Sequence, residues 1–120
     1  MKKSYYAIIP AFVRYDQTLT ANAKLLYGEI TALCNDKGFC FARNKYFADL
    51  YGVSNVSISK WINQLKSSGY IKIKMLYKED SKQIESREMY ITNFNEVLKK
   101  SSGGIKEKLN DNIYINNNNN

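Results

Sequence analysis

Histidine is absent from this 120-residue chain, cysteine occurs twice, proline once, and 11 acidic residues stand against 18 lysines and arginines. Each shortage closes off a chemistry. Without histidine the commonest general base is missing, and no serine or cysteine has a recognisable elbow or an activating neighbour. The chain reads as a non-enzyme. Cys34 and Cys40 alone make a poor zinc ligand set, so no metal and no cofactor is expected. No apolar run approaches the roughly 18 residues that a membrane span requires. Lys2 and Lys3 precede no apolar stretch of signal-peptide length, because Pro10, Arg14 and Asp16 interrupt it. The expectation is a cytoplasmic protein without a membrane partner, its two cysteines reduced thiols filling small core positions rather than a disulfide.

What is present points to one packed domain. Hydrophobic residues make up 44% of the chain and ten are tyrosine, enough for a single core at this length. Residues 5–13 (YYAIIPAFV) are rich in strand formers but broken by Pro10, which predicts a short strand or arm. Thr20 is a good N-cap, and residues 21–35 place Leu25, Leu26, Ile30 and Leu33 at helical spacing. Asp36, Lys37 and Gly38 end that helix. The apolar residues 39–42 (FCFA) predict a small strand, and a second short helix opens at Arg43 or Asn44.

Residues 44–63 (NKYFADLYGVSNVSISKWIN) carry the most specific spacing in the chain. Ala48 lies midway along a short helix, where a crossing helix tolerates only a small side chain. Gly52 follows four residues later, where a helix end turns left-handed and a Cβ is costly. Val53 enters the turn and Ser54 offers a hydroxyl to cap the next helix, over residues 55–67. Phe47, Ile58, Trp61, Ile62 and Leu65 supply the apolar contacts. This is the pattern of a helix-turn-helix. The alternating residues 70–77 (YIKIKMLY) then predict a strand, residues 78–86 a solvated hairpin tip, and residues 87–92 a return strand. A helix-turn-helix followed by such a hairpin makes an α+β winged helix-turn-helix: a three-helix core, a β-hairpin wing and a short N-terminal strand or arm.

The charge gathers on this unit. Between Arg43 and Lys78 lie seven basic residues against Asp49 alone, seven minus one giving +6 of the chain's +7. One-signed charge on a single structural unit is what neutralising phosphates requires. The face of the third helix left over from the core carries Ser54, Asn55, Val56, Ser57, Ser59, Lys60, Asn63, Gln64 and Ser67. Short polar residues let the backbone approach a major groove, asparagine can pair with adenine, lysine with guanine or phosphate, and valine with a thymine methyl. Arg43, Asn44 and Lys45 on the second helix, with Lys72, Lys74, Lys78, Lys82 and Arg87 on the wing, are the candidate backbone contacts. A plain helical corner with a solvated basic surface is the bland alternative.

From Lys99 the composition changes. Ser101 to Gly104 and the five closing asparagines divide the chain into a winged-helix domain over residues 1–98 and a flexible asparagine-rich linker or tail over residues 99–120.

Several strings together resemble a known family. Tyr6-Ala7-Ile8-Ile9-Pro10, the run from Leu19 to Leu33, Gly38-Phe39-Cys40-Phe41-Ala42, Asn44-Lys45-Tyr46-Phe47-Ala48, Gly52-Val53-Ser54, Trp61-Ile62-Asn63-Gln64-Leu65 and Gly69-Tyr70-Ile71-Lys72 look like the N-terminal winged-helix domain of phage and plasmid replication initiators of low-GC Gram-positive bacteria. The similarity covers about residues 5 to 92. It implies binding to double-stranded DNA at repeated origin sites. It also implies that an asparagine-rich linker leads to a C-terminal DnaD-like domain, absent from these 120 residues, through which the helicase-loading machinery is recruited. A transcriptional regulator and a protein-interaction module on the same fold are the alternative readings. A homodimer is the further expectation, with the arm of residues 5–13 either pairing with a second copy or folding back on its own domain.

Overall fold

A computed structural model of the chain describes residues 6–34 and 38–92. Among the described residues four helices precede one hairpin: α1 Ala11–Arg14, α2 Ala21–Leu33, α3 Asn44–Tyr51, α4 Asn55–Ser67, β1 Ile71–Tyr77 and β2 Ile84–Ile91. The α+β winged helix-turn-helix is the observed architecture. Residues 36 and 37 and the linker or tail over residues 99–120 lie outside the described residues.

The strand expected in residues 5–13 does not form. Pro10 occupies the N-cap of α1 instead, and its carbonyl accepts from the Val13 and Arg14 N–H groups at 3.0 and 2.9 Å. A proline that would interrupt a ladder costs nothing at a helix start, where its missing N–H has no partner to lose. The segment before it is an arm laid on its own domain. The Ile8 N–H donates to Thr31 Oγ1 at 3.1 Å, and Gly28 of α2 leaves the room: a Cβ there would lie 3.0 Å from both Ala7 and Ile9 side-chain carbons.

Thr20 caps α2 as its type predicts, its hydroxyl accepting from the Ala23 N–H at 3.2 Å. Ala23, Leu26, Tyr27, Ile30 and Leu33 turn inward, which rotates Leu25 onto the flank, where it is exposed rather than in the core. The turn between α3 and α4 follows the sequence reading closely. Gly52 has φ 68° and ψ 38°, the Val53 N–H returns to the Ala48 carbonyl at 3.0 Å, and the Ser57 N–H donates to Ser54 Oγ at 3.1 Å. Phe47, Ala48, Ile58, Ile62 and Leu65 are buried together, with the half-buried Trp61 packed against them. α4 is thereby clamped on one side and open on the other.

The wing is antiparallel, with Ile71 opposite Ile91 and Ile73 opposite Met89 on the side turned to the core. Met89 is fully buried and exchanges two 2.8 Å backbone bonds with Cys40, so the small strand expected at residues 39–42 is a single bridge. The return strand begins at Ile84, three residues earlier than expected. Backbone pairing needs no apolar side chains, so the polar sequence before Arg87 extends the ladder, and a bulge between Leu76 and Tyr77 absorbs the irregularity. Asp80 takes φ 54° in the tip, a conformation that Asp tolerates better than most residues. At the base of the wing Tyr70 donates its hydroxyl to Asp16 Oδ2 at 2.5 Å, 3.2 Å from the Phe12 carbonyl, fastening the hairpin to the α1 region.

Candidate nucleic-acid interface

With Ile58, Ile62 and Leu65 fixed inward, the opposite side of α4 is set by helical geometry. Val56, Lys60, Asn63 and Ser67 recur at intervals of four, three and four residues, form one outward stripe, and are all exposed. Val56 is 67% exposed, a branched apolar side chain in the first turn of α4 open to any partner of that face. Ser54, Asn55 and Ser59 are exposed beside the stripe. No acidic side chain occurs anywhere on α4. Lys66, exposed in the last turn, stands on the same side as Ser59 and Asn63, three residues on from Asn63. Its charge belongs to the basic excess between Arg43 and Lys78, and its interval from Asn63 is what places it on this face.

Two residues assigned to the face are otherwise engaged. Gln64 is half-buried, and its Oε1 accepts from the Thr20 N–H at 3.1 Å and the Thr20 hydroxyl at 3.0 Å. It staples α4 to the start of α2, where an amide on the near flank meets the N–H and hydroxyl donors that Thr20 does not use in capping. Ser57 is also half-buried, its N–H and hydroxyl both in contact with Ser54 Oγ, the two hydroxyls 3.1 Å apart.

The basic residues around α4 divide into three settings. Lys78 and Lys82 are exposed at the wing tip, and Lys72 and Lys74 project from the hairpin face opposite the core, where Lys74 pairs in register with Glu88. Lys45 forms an exposed ion pair with Asp49 at 2.9 Å one turn along α3. Such a pair is weak in water, so the lysine can exchange its partner for another anion. Arg87 is engaged with the protein's own backbone. It is half-buried, its Nε and Nη2 donate to the Ala42 carbonyl at 3.3 and 3.2 Å, and burial draws its pKa down. Alternation along β2 turns it toward the core side, where it ties the wing to the segment before α3. Arg43 reaches across to the wing in the same way, its Nη2 3.4 Å from the Glu85 carbonyl, and Asn44 opens α3 with its Oδ1 buried and unpartnered.

Cys34 and Cys40 are free thiols; burial lifts Cys34 to about 11 and raises Cys40 as well, so both are protonated at neutral pH. Among the described residues no three Cys, Asp or Glu side chains gather as a metal cage, and no helix is long and apolar enough to cross a membrane.

Residues 17–71 match a family model described as a helix-turn-helix domain, a span running from just before α2 to the first residue of β1. No curated protein matches the chain. The match, joined to the hairpin that follows it, supports a winged helix-turn-helix domain that binds DNA.

Proposed function

We propose that this domain recognises a specific duplex sequence, with α4 in the major groove and the wing on the flanking backbone, and that it serves as the origin-binding part of a phage or plasmid replication initiator. The outward stripe of α4 carries the first half of the reading. Val56, Lys60, Asn63 and Ser67 are exposed on a helix whose other side is locked into the core, and together they offer a methyl contact, a cation, a bidentate amide and a hydroxyl. A protein-docking helix would carry a larger apolar patch; Val56 stands alone on this one.

The second half is supported by the strings shared with initiator domains, from Leu19 to Leu33 above all. In this reading iterated origin sites hold several copies of the domain, and helicase loading falls to a separate C-terminal domain. The test begins with selection of bound duplexes from a random pool. A single recovered motif that recurs as iterated repeats near the encoding gene or an origin supports the initiator role. A motif found instead upstream of unrelated genes contradicts it in favour of a transcriptional regulator, and recovery of no motif contradicts sequence-specific reading altogether.

A further inference from the structure

A cleft of about 340 Å³ opens between the first turn of α3 and the core-facing side of the wing near its tip. Its walls are of two kinds. Arg43 and Arg87 supply guanidinium groups, and Met75 and Ile84 supply apolar surface that is 39% and 53% exposed. Among the described residues neither arginine has a carboxylate partner; both donate only to backbone carbonyls, Arg43 to Glu85 and Arg87 to Ala42. The Arg87 guanidinium, half-buried without a counter-ion, is costly, and an anion at this position would relieve the cost. The volume lies in the range of small-ligand sites.

The geometry points to a site for a small amphipathic anion, a phosphate or carboxylate head on an aromatic or branched aliphatic body, seated between α3 and the wing. A bare phosphodiester would satisfy the arginines but leave Met75 and Ile84 in water. An organic body covers both. Glu85, on the cleft wall and exposed, repels a second negative group, so the ligand carries its charge at one end. The contacts Arg43–Glu85 and Arg87–Ala42 already join the start of α3 to the wing, and a ligand gripped by both arginines adds a tie between the same elements. Its binding therefore fixes the wing relative to α3 and, where DNA binding requires one wing position, changes affinity for DNA reciprocally.

Phenyl phosphate is a suitable probe, titrated into the isotope-labelled full chain without DNA and followed by backbone amide NMR shifts. The expected result is saturable shifts at Arg43, Asn44, Met75 and Ile84. Inorganic phosphate at matched ionic strength should bind the same residues about tenfold more weakly, as loss of a buried ring implies. Arg43→Ala and Ile84→Ser change exposed side chains and should each weaken phenyl phosphate several-fold, whereas Lys24→Ala on α2 should not. Equal binding of inorganic phosphate, shifts scattered over the lysines, absence of saturation, or indifference to Ile84→Ser would each overturn the assignment. Because DNA is absent from this titration, loss of DNA recognition in a gel shift would not imitate its failure.

Discussion

A methyl group at position 52 would meet no atom within 4 Å, whereas one at position 28 would press on Ala7 and Ile9 at 3.0 Å, so the two glycines fail for opposite reasons. Gly52→Ala should destabilise the domain by about 1–2 kcal/mol, because φ 68° sets the Cβ against its own backbone. Urea unfolding checks it, and an unchanged midpoint would mean that the turn relaxes. Gly28→Val should leave α2 in place but lift the arm, which faster exchange of the Ile8 amide, now hydrogen-bonded to Thr31, would report. Residue chemistry also explains where Gln64 sits. Gln64 has the type and spacing of a base reader, but Thr20, 44 residues away in sequence, lies within hydrogen-bond reach, and no local pattern announces that partner.

Elements built from short-range rules were legible in the sequence; those depending on distant partners were less so. Ser54, Gly52 and the apolar spacing of α4 act within a few residues, and the helix runs over Asn55–Ser67 as read. By contrast Pro10 is compatible with a strand edge or a helix start, and only docking of the arm on α2 decides between them. The wing depends likewise on Met89, which is fully buried and bridged to Cys40. Met89→Ala should cost about 2–5 kcal/mol in stability, measurable by denaturant titration. Lys74→Ala and Lys78→Ala lie outside the core, and each should lower the slope of log affinity against log salt by about 0.9 while sparing sequence preference. Loss of sequence preference in these variants, with the slope intact, would move the reading function onto the wing.

Taken whole, the molecule has no histidine, and its net charge of +7 comes from lysine and arginine. Affinity for DNA should accordingly stay flat between pH 6 and 8, in contrast to a histidine-bearing binder. Alkaline pH acts on the fold instead. Burial raises Tyr27 from 10.0 to about 12, and burial with acceptance by Glu29 and Asp16 raises Tyr51 and Tyr70 further. A folded-state pKa above the unfolded value gives stability that is complete below pH 10 and declines above it, as the unfolded chain releases protons that the fold retains. Thermal melts from pH 8 to 11.5 should show this decline begin near pH 10. The proposed function rests on α4 presenting its outward stripe to duplex DNA. The direct measurement is fluorescence-anisotropy binding of wild type, Lys60→Ala and Asn63→Ala to the selected duplex and to a scrambled one. The predicted result is a loss of about 1–3 kcal/mol for each variant on the selected duplex, with little change for Asn63→Ala on the scrambled one. Equal affinity of all three proteins for the selected duplex would contradict the assignment of α4 as the reading helix.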